Sequence, residues 1–290
     1  MCCERSPAGD RGTVIDRQLG SWIVTTLDLT SSWPVDHVSA AVVTDSGVRE
    51  DVGDTDRVYE LASVTKLLSA YAVLIAVEEG AVELDQPAGP EGATVRHLLA
   101  HASGLAFGDR TVQAPAGTKR IYSSAGFEVL AELIETEAGI AFPDYLDEAV
   151  CRPLQMSNTA LPGSAGHGAS STLADLKNFA AELLAPTLLA SPTLSSATAV
   201  QFPGLNGIVP GYGSHKPCDW GLGFELRGEK TPHWTGSGNS SATFGHFGQA
   251  GTFLWVDPSV RTACVVLTDR AFGDWAKPLW PELSDAVLAG

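Results

Sequence analysis

The chain is predicted to be an α+β protein. One antiparallel β-sheet is built from both chain ends and flanked by helices, with a mostly helical subdomain inserted between them. Three observations predict this. Extended, β-branched runs fill residues 37–61 and return after residue 210. Helical spacing dominates 67–202. The length, 290 residues, suffices for one large domain or two lobes with a substantial core. Strands at both ends with helices between imply a sheet closed by the two termini.

Residues 1–10 are expected to be disordered and 11–290 to form one domain, with an α/β lobe of 11–66 plus 210–290 and a helical lobe of 67–209. Val14, Ile15, Leu19, Trp22, Ile23 and Leu27 predict a helix over 11–28, ended by Thr30-Ser31-Ser32-Trp33-Pro34. Residues 37–44 and 48–52, joined by Asp45-Ser46-Gly47, form a hairpin, and 58–61 is a third extended piece. Helices are expected over 67–79, ended at Gly80, and over 95–101, closed by Ser103-Gly104. Others follow over 124–137, 143–151, 173–184 (capped by Thr172) and 192–201. In the 124–137 helix, Phe127, Leu130, Leu133 and Ile134 mark one buried face. Strands are expected over 220–226, 244–256 and 262–268, with Asp257-Pro258 turning between the last two, before a closing helix over 275–289.

Charge and cysteine content narrow the function. The net charge is −16, from 18 basic and 34 acidic residues, which argues against nucleic acid and anionic membranes as partners. The five cysteines form no Cys-x-x-Cys and no zinc spacing, and Cys264, in an apolar run, is a small core residue. His97 and His101 lie four apart without a third ligand nearby, so a structural role is expected and no metal. Residues 1–17 lack an apolar core of signal-peptide length, and no run reaches transmembrane length. A cytoplasmic protein is expected.

The chemistry starts at Ser63-Val64-Thr65-Lys66, the one Ser-x-x-Lys in the chain, with an apolar helical run directly after it. Residues three apart on a helix share a face, so Lys66 can serve Ser63 as a base. The helix N-terminus and burial both favour a neutral lysine, and the same end favours an oxyanion beside Ser63. A chain this long holds roughly one such tetrad by chance, so the tetrad alone decides nothing. Two later stretches give it context: Tyr122-Ser123-Ser124, and Phe244-Gly245-His246-Phe247-Gly248-Gln249.

With these three stretches in order, residues 35–270 resemble the serine hydrolases related to class C β-lactamases and penicillin-binding proteins, a group that includes esterases and D-amino-acid-specific peptidases. The family pattern is Ser-x-x-Lys, then Tyr-x-Asn, then Lys-Thr-Gly or His-x-Gly. The run Leu98 to Leu105 is similar to the family's Leu-Leu-x-His-x-Ser-Gly-Leu, and Trp220-Gly221-Leu222-Gly223-Phe224 to the strand before the third motif. The resemblance implies a two-lobed β-lactamase/transpeptidase-like fold, with Ser63, Lys66 and Tyr122 catalytic. An acyl-transfer serine needs a base, and Lys66 and Tyr122 share that role as a jointly titrating pair. Tyr122 would also protonate the leaving group. His246 would line the site and polarise Tyr122 or contact substrate. Gly248 would let the strand approach substrate without a side chain, and the N–H of Gln249 would pair with that of Ser63 as an oxyanion hole. Ser124 stands where the family has asparagine, and its shorter hydroxyl offers a single donor. Lys230-Thr231-Pro232 and Tyr212-Gly213-Ser214 are set aside as decoys.

The resulting expectation is hydrolysis through an acyl-enzyme on Ser63, first of small carboxylic esters, with no cofactor and a small molecule as partner. Amide hydrolysis (β-lactamase, D,D-carboxypeptidase or D-aminopeptidase) is the nearest alternative, and a catalytically weak binding or scaffold protein the alternative of another class. The chain has neither Gly-x-Ser-x-Gly nor a P-loop, which excludes those signatures.

Overall fold

The structure, a computed structural model, describes residues 1–2 and 25–290. The expected disorder over 3–10 and the predicted helix as far as residue 24 lie outside the described residues. Thr26–Ser32 is a 3-10 turn that continues through the Thr-Ser-Ser run.

β1 (Val38–Thr44) and β2 (Gly47–Val52) form the first hairpin. β3 (Tyr59–Glu60) leads to α1 (Thr65–Glu78), followed by α2 (Val95–Leu99), α3 (Ala125–Ala138) and α4 (Phe142–Leu146). A π-turn, Asp147–Cys151, continues α4, where one α-helix was expected. Then come β4 (Ser170–Ser171), α5 (Leu173–Leu184), α6 (Ser191–Ala197), β5 (Gly207–Val209) and β6 (Gly213–His215). β7 (Glu225–Leu226), β8 (Phe244–Gly248), β9 (Thr252–Asp257), β10 (Thr262–Thr268) and α7 (Ala276–Ala289) complete the chain.

Six strands form one antiparallel sheet in the order β2-β1-β10-β9-β8-β7. The first and last strands lie side by side, Val38 opposite Thr268 and Thr44 opposite Thr262, so the sheet is indeed made from both chain ends. Both faces are covered. Ala41, Val43, Leu254, Val256, Val265 and Leu267 join the core under the helices of the insertion. Ala40, Val42, Phe253, Trp255, Cys264 and Val266 pack with Trp280, Leu283 and Val287 of α7. Successive strand residues point to opposite faces. A strand covered on both sides therefore reads as an unbroken apolar run, as β1 and β10 do. α1 is buried from Thr65 to Ala76, an apolar helix with no solvent face.

Four local expectations change. The 244–256 run is two strands, because Gln249-Ala250-Gly251 turns it back on itself and Gly251 has φ +89°. The 220–226 run keeps only Glu225–Leu226 as strand: the Gly221 N–H donates to the Phe224 carbonyl, and Gly223 sits at φ +86°. β3 pairs with β4 and stays out of the main sheet. β5 and β6 pair as a hairpin in a segment for which no strand is predicted. No helix among the described residues is long and apolar enough to cross a membrane.

Candidate active site

Ser63 lies in a one-turn 3-10 segment, Ala62–Val64, between β3 and α1. Ala62 has φ +45°, a left-handed conformation that costs an alanine on the order of 1–3 kcal/mol. Neighbouring groups hold this turn in place. Thr252 Oγ1 donates to the Leu61 carbonyl at 2.9 Å. The Leu61 N–H donates to Ala169 O at 2.9 Å. A Cβ at Gly248 would stand 2.3 Å from the Leu61 oxygen and 2.5 Å from Thr252 Oγ1. Gly248 thus lets β8 close on the backbone beside Ser63; the missing side chain makes room for protein, where the sequence suggested room for substrate.

Lys66 is fully buried on α1. Its ammonium donates to Ser124 Oγ at 3.0 Å and to the Gly166 carbonyl at 2.7 Å, and lies 4.6 Å from the Tyr122 ring centre. Burial pulls its pKa down to about 7, with Glu128 opposing. Ser124, at the N-cap of α3, is held by its own N–H to Phe107 O at 2.8 Å. A Cβ at Gly166 would stand 3.0 Å from that of Ser124. The short hydroxyl and the glycine loop therefore fit together, and the loop carbonyl gives Lys66 its second acceptor.

Tyr122 is half-buried with its hydroxyl oxygen shielded from solvent, and desolvation raises its pKa, while the adjacent Ser63 pulls the other way. Even so, the Tyr122 hydroxyl makes no hydrogen bond of acceptable geometry among the described residues. Tyr122 packs between His101, at 4.7 Å between ring centres, and His246, at 5.6 Å. His246 Nδ1 meets the Phe247 carbonyl at 2.6 Å, so Nδ1 carries the hydrogen and Nε2 is an acceptor with no partner among the described residues. Burial, then the Lys66 charge, lower the His246 pKa to about 4, so the ring is neutral near pH 7.

Two hollows meet at Ser63. A cleft of about 720 Å³ is lined by Ser63, Ser124, Glu128, Ser164, His167 and Gln249. A pocket of about 120 Å³ is lined by Ser63, Tyr122, Trp220, Glu225, His246 and Gln249. Ser63, Phe107 and Gln249 border both. Ser63, Tyr122, Ser124, His246 and Gln249 are therefore brought together, with Lys66 beneath them.

A buried charged cluster that no sequence motif marks stands at the small pocket. Glu225 accepts from Trp234 Nε1 at 2.7 Å, meets His233 Nε2 at 3.2 Å and pairs with Lys230 at 3.4 Å. Its one sequence signal was charge inside a Gly- and aromatic-rich run; Lys230 itself had been set aside as a decoy. Gly166 and Phe107 were also missed, being loop residues remote in sequence. His101 and His97 do not converge. His101 Nδ1 accepts the Ser123 N–H at 3.1 Å, and His97 Nδ1 meets Thr94 Oγ1 at 2.9 Å. Among the described residues, no three His, Cys, Asp or Glu side chains are grouped to hold a metal ion.

A sheet closed by both termini, with Ser-x-x-Lys leading into its central buried helix, defines a serine hydrolase fold of the β-lactamase/penicillin-binding-protein kind. The family model described as Beta-lactamase matches residues 36–288, and the chain belongs to that family. A β-lactamase structure from Mycobacterium bovis is 57% identical, with a TM-score of 0.91, covering 91% of this chain and 98% of that one. EstCE1, a hydrolase with promiscuous acyltransferase activity, shares the fold at 17% identity and a TM-score of 0.73, over 90% of this chain and 96% of that one. Among curated relatives, penicillin-binding protein 4* of Bacillus subtilis is 26% identical over 138 residues, 36% of this chain. The chain spans about a third of the length of the curated relatives it matches, 35% and 31%.

Proposed function

We propose that the protein is a serine esterase acting on small carboxylic esters through an acyl-enzyme on Ser63. The observation that carries this reading is the buried Lys66, drawn down to about 7, with Tyr122 between it and the pocket that Ser63 borders. Ser63 Oγ attacks the ester carbonyl, and its proton passes to the Lys66–Tyr122 pair. The pair returns that proton to the departing alkoxide as the ester C–O bond breaks. Water, deprotonated by the same pair, then attacks the acyl-enzyme and releases the acid and Ser63. The N–H groups of Ser63 and Gln249 stabilise the oxyanion. His246 in place of lysine and Ser124 in place of asparagine favour esters over the less reactive amides. We carry a cytoplasmic location as part of the same proposal; fractionation of the producing cell tests it.

The second reading, β-lactam hydrolysis, is favoured by the description of the 57% identical Mycobacterium bovis structure as a β-lactamase. A nitrophenyl ester and a chromogenic cephalosporin, assayed side by side, separate the two: ester turnover should exceed cephalosporin turnover, and the reverse order would replace the first reading by the second. A fluorophosphonate should label the wild-type protein and fail on Ser63→Ala, with turnover falling by at least about 10³-fold. Labelling that survives the substitution would remove Ser63 as nucleophile. No labelling of the folded wild-type protein would favour the binding or scaffold alternative.

A further inference from the structure

We propose that the small pocket beside Ser63 receives the alcohol half of the ester and that Glu225 makes it reject alcohols bearing a carboxylate. This rests on the esterase reading above and adds a substrate class to it.

The placement follows from which groups face which hollow. Tyr122, the proton donor to the leaving group, borders the small pocket, and Ser124 borders the large cleft. The alcohol therefore departs into the small pocket, and the acyl chain lies in the cleft. A cavity of about 150 Å³ holds one benzene, so about 120 Å³ admits an alcohol of about five non-hydrogen atoms.

The charge selection follows from the same wall. Each basic group near it is already committed. Lys66 donates to Ser124 and Gly166. Lys230 donates to Asp219 O at 2.8 Å and Leu226 O, and pairs with Glu225; both side chains of that pair are 1% exposed. Glu225 borders the pocket and Lys230 does not, so within this buried pair the acidic residue is the one at the pocket wall. Its other donors, Trp234 and His233, hold it ionised: they and Lys230 keep its pKa well below the usual carboxylate range despite burial. His246 also borders this pocket, with its Nδ1 tied to the Phe247 carbonyl and its ring neutral, so it adds no positive charge to the wall. A carboxylate on the alcohol offers no donor and meets the Glu225 carboxylate at the pocket wall, where burial leaves such repulsion weakly screened.

The test compares two esters of one acid, ethyl butanoate and carboxymethyl butanoate, by release of butanoic acid from the purified wild-type protein and Glu225→Gln. The wild-type kcat/KM should favour the ethyl ester by about tenfold or more. In Glu225→Gln this ratio should fall at least about threefold, since the amide keeps the shape and loses the charge. Folding loss alone would lower both rates together and leave the ratio unmoved. A wild-type ratio near one, or a ratio unchanged in folded Glu225→Gln, overturns the charge selection alone. If Glu225→Gln does not fold, the wild-type ratio decides. Turnover of neither ester overturns the esterase reading and this inference with it.

Discussion

At the residue scale, the site turns on a lysine kept from its ordinary charge. Burial brings Lys66 from 10.5 to about 7 and pushes Tyr122 upward, which favours a neutral lysine beside a protonated tyrosine in this jointly titrating pair. Activity that needs the Lys66 proton removed should rise as pH passes upward through about 7, read as the acid limb of a kcat/KM profile. Lys66→Met should cost about 10²–10⁴-fold in kcat/KM and abolish that limb. The same shift has a stability sign. The unfolded chain holds the lysine proton up to about 10.4, so burying the charge costs most below pH 7 and the cost fades as pH rises between the two values. Lys66→Met should therefore raise the melting temperature relative to wild type more at pH 6 than at pH 10. An equal difference at both pH values would show that Lys66 keeps its ordinary pKa in the fold.

At the element scale, Ser63, the proposed nucleophile, is positioned by the meeting of β8, the Ala62–Val64 turn and α1. β8 can approach only because residue 248 has no side chain, and Ala62 accepts a left-handed backbone at the same point. Gly248→Ala places a carbon 2.3 Å from a backbone oxygen, which no side-chain rotation relieves. It should destabilise the fold by about 1–3 kcal/mol in urea titration and, by moving Ser63, slow fluorophosphonate labelling of the protein that remains folded. The element that misled the sequence analysis is next to it. Residues 244–248 and 252–256 are buried throughout, so the two flanks of the short Gln249-Ala250-Gly251 break read as one run. The hairpin is marked only by Gln249-Ala250-Gly251, whose glycine supplies the positive φ that the turn needs.

At the scale of the molecule, two cores share one sheet. The core on the α7 face is the aromatic one: Trp280 packs against Phe247, Phe253 and Phe272 with ring centres 5.9, 5.1 and 5.1 Å away. Trp280→Ala should cost about 3–5 kcal/mol of unfolding free energy, and because Phe247 also lines the small pocket, it should change KM for short-alcohol esters. A measured loss below 1 kcal/mol would mean that this face is not the load its packing implies.

The sequence by itself determined the class of fold, since apolar runs at both ends and 3.6-residue spacing between them are local properties. It also singled out Ser63, Lys66, Tyr122 and His246 as candidates, because each sits in a short stretch whose order is legible without coordinates. Only the tertiary structure decided what surrounds them. Gly166 reaches Lys66 across 100 residues of chain, and the Glu225, Lys230, His233 and Trp234 cluster forms where a turn after β7 folds back on that strand. Their effect is electrostatic and depends on distance and burial. Both arise only when segments remote in sequence exclude water together, and no spacing along the chain encodes that.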